Sequence, residues 1–98
     1  MGRPDEGDGQ ASNDVMLYKT TTEHFRQAML RKLYKHAHKG AWSTMSVAYL
    51  LERAKEELVE VHYAVAMRAS SCVVENECAD VANLLMMLAD NYSKEERK

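Results

Sequence analysis

Two pairs of carboxylates, Glu57/Glu60 and Glu77/Asp80, stand on consecutive stretches of the chain. Within each pair the spacing is three residues, so on an α-helix both side chains leave neighbouring turns on one side. Two such helices side by side bring four acids together. A partly buried site cannot hold four anions uncompensated, and a divalent cation is the usual compensation. All-oxygen donors select a hard ion, so Mg²⁺ is expected, with Mn²⁺ as the alternative, rather than zinc or copper. A di-iron bundle would need Glu-x-x-His from two helices; Val59 precedes His62 by three, and His24, His36 and His38 have no acid at that offset. The Asp/Asn-rich, glycine-containing loop of a calcium site is absent as well.

Mg²⁺ commonly joins protein carboxylates to substrate phosphates, which makes phosphate chemistry the expectation. No Gly-x-x-x-x-Gly-Lys loop occurs, so a P-loop nucleotidase is excluded. Glu56 is a spare acid beside the set, and Glu56 or Glu57 is expected to orient or deprotonate an attacking water.

The acids differ in weight. Glu-Glu-Leu-Val-Glu at positions 56–60 is what a solvated acidic face also looks like. Glu77 is less ordinary, because it falls near the middle of an apolar stripe made by Val74, Val81, Leu84, Leu85 and Leu88, with Val73 and Asp80 at its edges. A carboxylate there costs several kcal/mol, on the order of the desolvation of a buried charge, unless it is paired or metal-bound. A salt bridge to Arg53 or to a lysine of the first helix is one solution. A cation shared with Glu57 and Glu60 is the other, and the one favoured. Asn83, three residues past Asp80, is placed to hydrogen-bond whatever the cation holds.

The elements that must position these groups read as helices. One Pro, four Gly and frequent Ala, Leu, Met, Glu and Lys favour them. Helix one is expected from about Thr21 to His38, with hydroxyls of Thr20 to Thr22 as caps, Glu23 in the first turn, Phe25, Met29, Leu33 and Ala37 as its stripe, and Gly40 as the stop. Arg26, Arg31, Lys32 and Lys35 occupy its other faces, as a solvated basic surface or as a source of cations for an anionic ligand. Trp42, in the following connection, is either a packing plug or a platform for a planar ligand. Helix two is expected after Ser46 and, without a breaker, on to about Ala69. Val47, Leu51, Ala54, Leu58, Val61 and Val65 give it a heptad-like seam, and Leu50, Arg53, Glu57, Glu60 and Ala64 a second column, as in a central bundle member. Helix three is expected from a Ser70/Ser71 cap to about Asn91.

The expected fold class is therefore all-α, with three main helices per chain whose long members assemble into an oligomeric four-helix-bundle-type core. The expected organisation is a mobile acidic tail over residues 1–19, a helical domain over 20–92 and a charged tail over 93–98. Val15 to Tyr18 form a short apolar patch placed to dock on the core. Three helices in 98 residues bury little apolar surface, and helix two has two faces needing partners, so a homodimer or homotetramer is expected.

Composition excludes other classes. Thirteen Lys and Arg against fifteen Asp and Glu leave a formal charge of −2, which argues against a nucleic-acid polymer as partner. No apolar run approaches a membrane span and no signal-peptide core opens the chain, so no membrane partner and a cytoplasmic location are expected. Cys72 and Cys78, six apart on one helix, cannot reach each other and read as reduced thiols.

Glu57-x-x-Glu60 followed by Glu77-x-x-Asp80 resembles the paired motif of the all-α, MazG-like NTP pyrophosphatases, whose relatives include dimeric dUTPases and phosphoribosyl-ATP pyrophosphatases. His38-Lys39-Gly40-Ala41-Trp42 and Glu77-Cys78-Ala79-Asp80-Val81-Ala82-Asn83 look most like short phage and bacterial members described as dATP/dGTP pyrophosphohydrolases, a resemblance spanning roughly residues 23–91. It implies Mg²⁺-dependent hydrolysis of a (deoxy)nucleoside triphosphate, purine type, to monophosphate and pyrophosphate. It also implies metal ligation by Glu57, Glu60, Glu77 and Asp80, a base pocket at Trp42, and Asn83 near phosphate or sugar. Lys39 and Arg53, with Lys32 and Lys35, are candidates for the triphosphate, and Lys94, Arg97 and Lys98 stand where longer relatives add basic residues. The competing expectations are the same fold acting on dUTP or a phosphoribosyl-nucleotide, and a non-catalytic oligomeric helical module whose acids pair with basic partners.

Overall fold

The computed structural model describes the backbone of residues 4–96 and the side chains of residues 12–96. Three helices fill it: α1 (Pro4–Lys35), α2 (Val47–Ala66) and α3 (Ser71–Glu96), with one 3₁₀ turn, Ala37–Lys39, after α1. There is no strand among the described residues, so the chain is all-α as its composition requires.

The first and last helices run further than the sequence pattern indicates. α1 begins at Pro4 rather than near Thr21, and takes in most of the stretch read as a tail. Proline suits the first helical position, where its missing N–H would be unpaired in any case. The Thr20 and Thr22 hydroxyls are not caps: they donate back to the carbonyls of Met16 at 2.8 Å and Tyr18 at 2.5 Å, a bond open to threonine inside a helix. Val15 to Tyr18 do not dock on the core, each being 46–67% exposed. At the other end α3 continues past Asn91 to Glu96, into the stretch read as a charged tail.

α2 starts where Ser46 predicts, the serine hydroxyl accepting from the Tyr49 N–H at 3.0 Å. It stops three residues earlier than expected, and no glycine marks the stop. Arg68 takes the left-handed conformation instead, with φ 55°, while the Ala69 N–H reaches the Ala64 carbonyl at 2.9 Å and the Arg68 N–H that of Val65 at 3.1 Å. Those two bonds close a Schellman motif around a residue type that does not favour its backbone. Arg68→Gly is therefore expected to stabilise the chain by about 0.5–1 kcal/mol, read as a higher midpoint in urea with unchanged slope. Ser70 caps α3, accepting from the Val73 N–H at 3.3 Å. The expected glycine stop does hold after the 3₁₀ turn, where Gly40 has φ 84°.

α3, not α2, is the central helix. Among the described residues it packs against both α1 and α2, and those two make no close backbone approach to each other. The core is thin: Ala28, Leu50, Ala54 and Ala79 are the buried apolar residues among those described, and Leu50 alone is both large and fully buried. The α2 seam splits accordingly. Ala54 is buried and Val47 and Val61 are half-buried, whereas Leu51, Leu58 and Val65 are 43–58% exposed. The loop between α1 and α2 is tied down by buried Asn91, whose Nδ2 donates to the carbonyls of Trp42 at 2.9 Å and Met45 at 2.8 Å.

Candidate metal centre and its cavity

Because α2 and α3 run side by side, Glu57 on one meets Glu77 and Asp80 on the other. One oxygen from each of these three lies within 4.8 Å of the other two, and all three side chains are half-buried. Burial, and then the charges of Asp80, Glu57 and Glu60, push the Glu77 carboxyl above its ordinary range; Lys32 opposes them. Among the described residues no cation stands within ion-pair distance of Glu77. The neighbouring acids are compensated: Lys32 Nζ lies 3.4 Å from Asp80 Oδ2, and Arg53 Nη2 3.1 Å from Glu57 Oε1. The salt-bridge solution is thus used for Glu57 and Asp80 but not for Glu77. Three mutually close carboxylates, with Glu77 unpaired, form a donor set that suits a hard divalent cation.

Beside the trio opens a cavity of about 290 Å³. Lys32, His36, Lys39 and Arg53 supply its basic side, Glu57 and Asp80 its acidic side, and Leu33, Leu84 and Met87 its apolar wall. Burial first, then Lys39 and Lys32, lowers the His36 pKa and so favours the neutral imidazole. Asn83 also lines the cavity. Its Nδ2 donates to the Met29 carbonyl at 3.0 Å and ties α3 to α1.

The residues singled out in the sequence are therefore partly brought together. Glu57, Glu77, Asp80, Asn83, Lys39, Lys32 and Arg53 share one place. Glu60 does not join the trio; it is exposed and lines a second, shallower cleft with Glu77 and Tyr63. Glu56 points away to solvent and is held by Arg53. Trp42 does not line this cavity: its Nε1 donates to Asp90 Oδ2 at 2.9 Å, the carboxylate that Lys94 also holds at 2.8 Å. Lys35 is likewise not among the cavity residues, and Arg97 and Lys98 lie outside the described residues. The basic face of α1 is divided, since Arg31 and His24 pair with Glu75 while Arg26 pairs with Glu23. No sequence motif marks His36; its position four residues after Lys32, just beyond the end of α1, is the signal that points to it.

Comparison with protein-family models, with curated proteins and with solved structures found no match to this chain.

Proposed function

We propose that this chain is a Mg²⁺-dependent nucleoside triphosphate pyrophosphohydrolase, cleaving a (deoxy)nucleoside triphosphate, of the dATP/dGTP type, into monophosphate and pyrophosphate. The observation that carries the reading is Glu77: an unpaired, half-buried carboxylate converging with Glu57 and Asp80 at the edge of a basic cavity. Glu57, Glu77 and Asp80 would hold the ion, with Glu60 near enough to bear on Glu77 electrostatically. Bound there, Mg²⁺ would supply neutralisation of phosphate charge and a more acidic water. Lys32, Lys39 and Arg53 would bind and orient the phosphate oxygens, two of them exchanging their present carboxylate partners for the substrate. In the reaction a water oxygen bonds to phosphorus, the bond to the departing phosphate oxygen breaks, and a carboxylate takes the water's proton. The test is incubation of the purified chain with each dNTP and Mg²⁺; monophosphate and pyrophosphate should appear in equal amounts. Intact canonical and modified nucleotides throughout would end the proposal.

The functional unit would be a homodimer or homotetramer whose long helices form a four-helix-bundle-type core. Leu51, Leu58 and Val65 recur every seven residues on α2 and stay exposed, as do Leu85 and Tyr92 on α3, which is the pattern of a seam awaiting another helix pair. The pairs Arg53–Glu57 and Lys32–Asp80 favour a second reading, a salt-bridged helical interaction module without catalysis. Under it Mg²⁺ gives no stabilisation.

A further inference from the structure

We propose that His36 binds the ligand's phosphate chain as an imidazolium, so that the cavity takes up a proton when the anion enters; the inference rests on the pyrophosphohydrolase reading. Four basic side chains line the cavity, Lys32, His36, Lys39 and Arg53. Two of them are already engaged, Lys32 by Asp80 and Arg53 by Glu56 and Glu57. Among the described residues the side chains of His36 and Lys39 have neither an ion pair nor a hydrogen bond. These two can therefore meet an anion without first breaking a contact. The chain also holds them in place. The His36 N–H donates to the carbonyls of Lys32 at 3.3 Å and Leu33 at 3.2 Å, and its own carbonyl accepts from the Lys39 N–H at 2.9 Å. Residues three apart in a 3₁₀ turn eclipse, which puts both side chains on one side of the turn.

The charged groups around the imidazole are Lys32 and Lys35 from α1, Lys39 from the turn, Arg53 and Glu57 from α2, and Asp80 from α3. Burial and the three lysines disfavour its charged form, and Asp80 favours it from beyond ion-pair distance. A phosphate chain lying among Lys32, Lys39 and the ring offsets the lysine charges that keep the proton off. It also rewards protonation directly. A neutral imidazole turns one acceptor nitrogen towards its surroundings, whereas the imidazolium donates from both. Histidine is the side chain whose ordinary range lets this exchange happen near neutrality. The sign follows: affinity for the anion rises as pH falls through the His36 value of the complex, and rises no further below that of the free chain.

The experiment titrates the full chain, with Mg²⁺ present, with the uncleavable α,β-imido analogue of the purine dNTP that it hydrolyses. Calorimetry in buffers of different ionisation enthalpy counts the protons exchanged on binding. His36→Asn is the reference, because protons exchanged by the nucleotide and by the metal-binding carboxylates are common to both proteins and cancel in the difference. Near pH 6.5 the unmutated chain should take up roughly half a proton more than the variant. It should bind the analogue roughly 10-fold more tightly than His36→Asn at pH 6, the scale of one charge-assisted hydrogen bond, with the ratio falling towards one at pH 8.5. His36→Lys should keep the tight binding at pH 8.5 without the extra uptake, its charge being present there already. Circular-dichroism melts report that the helices persist in both variants. Equal proton counts for the unmutated chain and His36→Asn would overturn the inference while leaving the hydrolase reading in place. So would a loss of affinity in His36→Asn that is the same at both pH values. No hydrolysis of any dNTP would overturn the hydrolase reading, and this inference with it.

Discussion

Glu77→Gln is expected to reduce turnover by roughly 10³-fold, the factor that about 4 kcal/mol of lost transition-state stabilisation corresponds to, while the helices remain intact. Gln keeps the shape and removes one anion from the trio. Stability should move the other way. Burial and three acidic neighbours raise the folded-state pKa of Glu77, so the folded chain binds a proton there more tightly than the unfolded chain does. That contribution to stability is fully present below the ordinary carboxylate range and is lost as pH rises through the raised value. Without metal, the stability gained by Glu77→Gln over the unmutated chain should be near zero at about pH 4 and grow to pH 7, where a few degrees in melting temperature are expected for a domain of this size. Added Mg²⁺ should stabilise the unmutated chain at pH 7 and have no such effect on the variant. Equal Mg²⁺ stabilisation of both proteins would remove Glu77 from the metal centre. Groups such as Glu23, held at about 2 chiefly by its hydrogen bond from Arg26, act oppositely and lose stability in acid. They are common to both proteins and cancel in the difference.

The second large effect belongs to assembly. Leu58 is 57% exposed and is the middle member of the Leu51, Leu58, Val65 stripe. In a single chain Leu58→Glu replaces a solvent-facing side chain, so helix content should not change. In an assembly whose seam runs along α2 it buries an unpaired charge, which costs several kcal/mol and splits the oligomer. Light scattering after gel filtration at micromolar concentration should show a dimer or larger species for the unmutated chain and a monomer for the variant. An unmutated chain that elutes as a monomer would sink the assembly. The thin core gives the effect its weight, since Leu50 is the one large side chain that a single copy fully buries among the described residues.

The helices and the acids were legible in the sequence for local reasons. Spacing of three puts Glu77 and Asp80 on one side of α3 whatever surrounds it, a serine before an apolar run caps α2, and Gly40 stops the first helical stretch because its φ of 84° suits glycine. Where local signals are weak, pattern and structure part. Arg68 ends α2 in a conformation that its side chain disfavours, so no residue type announced the stop. The start of α1 was missed because threonines that look like caps can also bond back inside a helix.

By itself, then, the sequence determined an all-α chain, the two acidic pairs on consecutive helices, and the position of a carboxylate within an apolar stripe. Only the tertiary structure decided which acids meet. Glu57 faces α3 beside Glu77 and Asp80, Glu60 is turned to the second cleft, and Glu56 is turned to solvent, because the rotation of α2 about its axis is set by packing rather than by spacing. The same packing made α3 the centre and brought Lys32 to Asp80. It also pinned Trp42 to Asp90 outside the cavity and left Asn83 Oδ1 without a partner. Each of these outcomes depends on contacts between residues far apart in the chain, which periodicity along one helix does not encode.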